Sequence, residues 1–340
     1  MSKNLAEIPV SFLDLATIIQ GDISASSAFH RSVTLAQHAE QLGYTRYWFA
    51  EHHNMESVAS SATAVLVGYV AGATSTIRVG SGGIMLPNHA PLIIAEQFGT
   101  LESLYPGRID LGIGRAPGTD PLTSYALRRN LKGDINDFPN DVVELINYFG
   151  PPDQQTKVKA IPGQGTNVPV WLLGSSTYSA ALAAMLGRPF AFASHFSPAQ
   201  LLEALTLYRK NFKPSAFLQR PYAMACVNVI AADRDEEAQF LATSFYQLVL
   251  GMFRNMRKPL QPPVHDMDNV WTEIEKEGVM QMMKYAFIGS IDTVKKSLQS
   301  FLDSTSVDEI MITCNTFDFS ARLKSLTLTA ELFSTKVKKE

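Results

Sequence analysis

The chain has 340 residues, 46% of them apolar and 18% charged, with a formal net charge of −3, the composition of a globular protein with ample material for a buried core. Beyond Lys336, Lys338 and Lys339 at the C-terminal end no basic run appears, which argues against a nucleic-acid partner. No apolar run approaches the ~18 residues of a membrane span, and residues 1–10 lack the basic start and apolar stretch of a signal peptide, so a cytoplasmic protein with no membrane contact is expected.

Short apolar runs followed by longer segments of helical spacing recur along the chain. Residues 9–15 predict strand one, with a helix over 27–42 that Gly43 stops. Residues 46–51 predict strand two and 60–74 an Ala-rich helix. Residues 77–86 predict strand three, followed by a helix over 91–104 that Pro106 and Gly107 close, and 108–114 predict strand four. The rhythm loosens over 115–168, an excursion holding a polar loop, a helix near 141–149 and a Pro/Gly-rich stretch. It returns with strands at 169–174, 189–194 and 221–232, each backed by a helix, at 178–186, 198–212 and 235–250. Residues 251–277, with Pro259, Pro262 and Pro263, read as an irregular insertion expected to be mobile. A helix over 293–302, strand eight over 309–314 and a helix over 320–333 complete the series. Eight alternations fit one closed (β/α)8 TIM barrel over 1–340 better than an open sheet, and in such a barrel chemistry gathers at the C-terminal strand ends.

Each strand end can then be read for what it delivers. Strand one ends in Asp14, a candidate to position a catalytic group or, on the blander reading, to cap its own loop. Strand two ends in Glu51-His52-His53-Asn54, where the histidines are acid/base candidates or a hydrogen-bonded pair. The spacing is not HExxH, so no metal site is expected. Strand three carries Gly80-Ser81-Gly82-Gly83, glycine-rich enough for a flat molecule to approach the backbone or for a bulge at a barrel corner. Strand four runs Gly112-Ile113-Gly114-Arg115-Ala116-Pro117-Gly118. Pro117 occupies the third glycine of GxGxxG, which rejects a Rossmann dinucleotide site. Arg115 remains a cation at a strand end, suited to an anion or to a surface ion pair. Strand five ends in Gly174-Ser175-Ser176-Thr177-Tyr178-Ser179, which offers helix caps or a phosphate cradle. Cys226 and Cys314 stand in apolar runs outside any CxxC or Cys/His cluster and read as buried inert thiols.

Five segments, FAEHHN (49–54), VGSGGIMLPNHAPL (79–92), YPGRIDLGIGRAPG (105–118), PVWLLGSS (169–176) and LGRPFAFASHF (186–196), together resemble the bacterial luciferase-like, flavin-dependent monooxygenases, most of all an alkanal-monooxygenase-like subgroup. The resemblance covers most of residues 8–200. It implies FMN at the barrel mouth, with Gly82 and Gly83 beside the flavin ring and joined, as in luciferases, by a non-proline cis peptide. It also implies Ser176 and Ser179 on the phosphate, the Ser175 backbone assisting them, Arg115 beside the phosphate and His52 as the catalytic histidine. Where luciferases carry a reactive cysteine this chain has Gly114, which argues against light emission and opens space above the ring.

The implied reaction takes reduced FMN from a separate reductase, and O2, and oxygenates a small organic substrate such as an aldehyde, with His52 moving protons. A deazaflavin-dependent hydride-transfer enzyme and a non-catalytic flavin-binding protein are the alternatives. Helices 60–74 and 91–104, apolar on more than one face, and the same resemblance point to a homodimer.

Overall fold

The computed structural model describes residues 3–116, 120–128, 137–154 and 157–333. Pro117 and Gly118 of the strand-four motif, and the lysines at the C-terminal end, lie outside the described residues. The strands are β1 (Val10–Asp14), β2 (Arg46–Phe49), β3 (Arg78–Met85), β4 (Ile109–Gly114), β5 (Val170–Gly174), β6 (Phe190–Phe192), β7 (Ala223–Ala232), β8 (Ala286–Ser290) and β9 (Glu309–Thr313). The helices are α1 (Ala25–Gln41), α2 (Thr63–Ala73), α3 (Pro91–Leu104), α4 (Pro121–Arg128), α5 (Phe138–Phe149), α6 (Thr177–Leu186), α7 (Leu201–Asn211), α8 (Asp235–Phe253), α9 (Glu273–Met282), α10 (Ile291–Thr305) and α11 (Phe319–Ala330).

Strands β1 to β7 pair in sequence order, and β9 closes the ring by pairing with both β7 and β1, every pair parallel. This is the expected eight-stranded barrel, and each predicted strand falls on an observed one with its ends displaced by two residues or fewer. The ninth strand was not expected. β8 pairs with the second half of β7, from Asn228↔Ala286 to Ala232↔Ser290, outside the ring, while the first half of β7 pairs with β9 up to Asn228↔Thr313. Both ends of the 251–277 segment are helical: α8 runs to Phe253, and α9 starts after Thr272, whose hydroxyl and Glu275 form a capping box. The excursion after β4 also holds α4, which the sequence reading left as loop.

Strands buried on both faces make near-continuous apolar runs, with alternate residues facing the barrel axis and the helix layer. Outward-facing residues such as Phe12, Tyr47, Val79, Ile310 and Ile312 belong to the large core shared with the helices. Inward-facing residues build two layers. The lower one is ionic. Arg46 pairs with Asp110 at 2.7 Å and with Glu309 at 3.1 Å, Arg78 pairs with Asp110, and Ser11 and Tyr222 donate to Glu309. Burial raises the Asp110 pKa, but the two guanidinium groups outweigh it and hold the carboxyl below its usual range. Above it lies an apolar layer of Leu13, Trp48, Ala50, Trp171, Met224, Cys226 and Met311, with Trp48 and Trp171 edge to face at 5.2 Å. Both cysteines are buried and free, their thiols pushed up by burial.

Candidate active site

The two histidines after β2 go to opposite sides of the sheet. Arg46, Trp48 and Ala50 face the barrel axis, and His52, past the end of β2, lies close enough to His195 after β6 for their charges to interact. Glu51 and His53 fall on the outer side. There the buried Glu51 carboxylate accepts from His53 Nε2 at 2.8 Å, His89 Nε2 at 2.9 Å and the Met85 amide at 3.2 Å. Burial raises the Glu51 pKa, yet the hydrogen bonds from His53 and His89 prevail and keep it low. The ligand atoms of these three side chains lie within 4.8 Å of one another, as in metal clusters, and the hydrogen bonds already account for that closeness. The cluster ties the turn carrying His52 to the turn that follows β3. Of the two readings of the adjacent histidines, the hydrogen-bonded one describes His53.

Asp14 is wholly buried on the outer face of β1. It accepts from its own loop through the Ala16 amide at 3.1 Å, from Tyr47 at 2.6 Å, from Ser32 at 2.5 Å and from Arg322 of α11 at 3.0 Å. The loop-capping reading holds, with a buried ion pair added.

The glycine rim has a packing cause. A Cβ on Gly83 would sit 2.6 Å from the Gly112 carbonyl oxygen, and one on Gly112 would sit 2.3 Å from the Ser81 carbonyl oxygen. One on Gly82 would meet Leu13 at 2.9 Å and Trp48 at 3.0 Å. The β3–β4 register shifts between Gly82 and Ile84, the bulge that the glycine count allowed, and the Gly82–Gly83 bond is cis. Gly114 is different. An added Cβ there would meet nothing nearer than Met85 Sδ at 3.4 Å, an ordinary contact, so a small side chain fits.

Arg115 and the serines converge. Ser176 is the N-cap of α6, but its side chain makes no capping bond, which leaves the first amides of the helix without that partner. Arg115, just past the end of β4, lays its guanidinium over the Tyr178 ring at 4.0 Å, in the first turn of the same helix. No carboxylate among the described residues forms an ion pair with it. Ser179 is 4% exposed and its hydroxyl packs against Gly174. A cation, helix amides without a side-chain cap and small hydroxyl residues are gathered at one point, donor types that suit an anion. The donor set is of the kind that fits the phosphate end of FMN.

One functional candidate escaped the sequence reading. His195 follows β6, the strand facing β2 across the ring, and it still lies close enough to His52 for their charges to interact. Both side chains must therefore reach toward the barrel axis. Burial, and secondarily His52, push the His195 pKa down to about 3, so the ring is neutral at working pH. Its Nδ1 is sealed from solvent and has no hydrogen-bond partner. Asn228 of β7 fixes its backbone, donating from Nδ2 to the His195 carbonyl at 2.6 Å. The signal was a histidine closing the apolar run 189–194, the same pattern that exposed His52.

The family model described as luciferase-like monooxygenase matches residues 12–309. A luciferase-like monooxygenase of Escherichia coli strain K12 is 54% identical over 325 residues, 96% of this chain and 97% of the relative. The N-acetyl-S-alkylcysteine monooxygenase of Bacillus subtilis strain 168 is 38% identical over 238 residues, 68% of this chain and 70% of that protein. Among solved structures, apo-MsnO8 has a TM-score of 0.89 at 34% identity and covers 96% of this chain and 98% of its own. The oxygenating constituent of 3,6-diketocamphane monooxygenase from Pseudomonas putida, in complex with FMN, shares the fold at TM-score 0.68 and 17% identity, over 99% of both chains. By the span of the family match and the identity of these relatives, the chain belongs to the luciferase-like monooxygenase family.

Proposed function

We propose that the protein is an FMN-dependent monooxygenase that takes reduced FMN from a separate reductase, together with O2, and oxygenates a small carbonyl compound. The observation that carries this reading is the anion seat at β4 and β5, where Arg115 lies over Tyr178 beside the uncapped start of α6. Ser175, Ser176 and Ser179 are assigned to that seat, and Gly82 and Gly83, on the neighbouring strand, to the side of the flavin ring. When bound, the reduced flavin supplies the two electrons that turn one oxygen atom into water while the other enters the substrate. His52, at the mouth, holds and moves the proton this exchange requires. The apolar layer of Trp48 and Trp171 beneath it excludes water from the reacting atoms.

Residues 251–277 are assigned the role of a cover. Leu260 pairs with the loop after β1, its amide donating to Ile18 and its carbonyl accepting from Gln20, both at 2.9 Å, which seats the segment beside the mouth. Val65 and Tyr69 of α2, and Ile93 and Leu104 of α3, are exposed apolar side chains on neighbouring helices, and a homodimer would bury them. Light scattering at micromolar concentration gives twice the chain mass if so. The cytoplasm is the compartment in which such a reductase and its flavin are at hand.

The similarity to an N-acetyl-S-alkylcysteine monooxygenase supports a second substrate class, thioethers. Anaerobic titration with reduced FMN tests the cofactor, and oxygen uptake over a panel of aldehydes, ketones and thioethers tests the reaction. No binding of reduced FMN, or turnover with a deazaflavin alone, would refute the reading.

A further inference from the structure

Two sealed polar atoms without partners lie near the C-terminal strand ends, beyond the anion seat in strand order. One is His195 Nδ1, after β6, and the other is Thr313 Oγ1, the last residue of β9, on a side chain 1% exposed. Thr313 faces the barrel interior. In its strand Glu309 bonds to Ser11 and Tyr222 inside the ring and Met311 belongs to the inner apolar layer, so the alternation puts Thr313 on the same side. Asn228 stands between the two. It is the register partner of Thr313 across the β7–β9 ladder, and its side-chain amide holds the His195 carbonyl. At Asn228 β7 leaves β9 and takes up β8, so the three residues form one arc across β6, β7 and β9 at the level where the ladder ends.

A buried hydroxyl or ring nitrogen with no partner costs the folded protein stability, so it is tolerated where another molecule supplies the partner. We propose that His195 and Thr313 form the polar end of the organic-substrate site and hold a neutral carbonyl oxygen between the Thr313 hydroxyl and His195 Nδ1–H, facing His52. This assignment rests on the monooxygenase reading above and names the substrate end of that site. A carbonyl oxygen has two lone pairs and accepts from both donors at once. Neither donor is charged, so a carboxylate or ammonium group finds no counter-ion in the arc. The flavin phosphate is assigned to the seat at β4 and β5, the strands that precede this arc in ring order.

The test uses octanal as probe and the conservative variants Thr313→Val, His195→Phe and His195→Asn. Saturable octanal binding to flavin-free protein is read from the emission of Trp48 and Trp171 directly beneath the mouth, and reduced FMN binding is read in a separate anaerobic titration. Each variant is expected to weaken octanal binding about 5- to 20-fold, the scale of one lost buried hydrogen bond, while the reduced-FMN dissociation constant stays within about twofold. Thr313→Val is expected to keep or raise the melting temperature, because it removes a hydroxyl that nothing in the fold satisfies. Unchanged octanal affinity in Thr313→Val and in both His195 variants would mean that water alone serves the two atoms, and the proposal falls. It falls too if wild-type protein shows no saturable octanal binding, or if the variants lose reduced FMN instead. Should wild-type protein bind octanal but not reduced FMN, the monooxygenase reading fails while the carbonyl site stands.

Discussion

Gly83 and Gly114 lie on neighbouring strands and respond in opposite ways to an added side chain. A methyl on Gly83 would press into the backbone carbonyl of Gly112, whereas one on Gly114 makes ordinary contact with Met85. Gly83→Ala is therefore expected to cost about 3 kcal/mol or more, since neither backbone can yield. Gly114→Cys should stay within about 1 kcal/mol of wild type in urea unfolding, while narrowing the space that bulky substrates use. His52→Ala leaves the phosphate seat and the glycine rim intact, so reduced-FMN affinity should hold while coupled oxygenation falls by about 10²–10⁴, the usual scale of a positioned acid/base group. Full coupled turnover in that variant would remove His52 from the chemistry. His195 gives a pH signature. Its folded-state pKa of about 3 lies below the ordinary histidine value of 6.5, so the unfolded chain takes up the proton first and native stability declines as pH falls from about 6.5 toward 3. Urea unfolding at pH 8 and pH 5 should show a smaller loss for His195→Phe than for wild type.

At the scale of the element, α6 is the informative case. Its sequence start offers capping residues, yet Ser176 makes no side-chain cap and Arg115 arrives from the preceding strand end. If that start holds phosphate, Arg115→Ala and Ser176→Ala should each weaken reduced FMN about tenfold and leave reduced riboflavin, which lacks the phosphate, nearly unchanged. Equal losses for both flavins would place the phosphate elsewhere. The barrel strands were legible because parallel strands buried on both faces make short apolar runs between breakers, as 108–114 does. β8 was not: its five residues abut α10 directly, with Ser290 both ending the strand and standing at the N-cap position, so Gly289 and Ser290 read as the helix's own start signal. His89 was missed for another reason. Its bond to Glu51 joins residues 38 positions apart, and the spacing of EHH carries no hint of it. His52, Ser175 and Ser176 stand out in the sequence because they follow apolar runs at strand ends. Thr313 does not, because a threonine ending an apolar run looks like strand.

Across the whole molecule, polarity is layered along the barrel axis. Arg46, Arg78, Asp110 and Glu309 hold the floor, two tryptophans and their neighbours fill the middle, and histidine, asparagine and threonine line the rim. The floor holds buried charges, each matched by a partner, so it resists repacking and admits no passage. A vessel plugged below has a single doorway, and everything that enters or leaves must queue at it. On the proposed function, a flavin held there by its phosphate would have to load before the small substrate occupies the sill. Excess organic substrate added ahead of reduced flavin would then stand in the entrance and delay its own conversion, so the plugged floor imposes an order on traffic at the top.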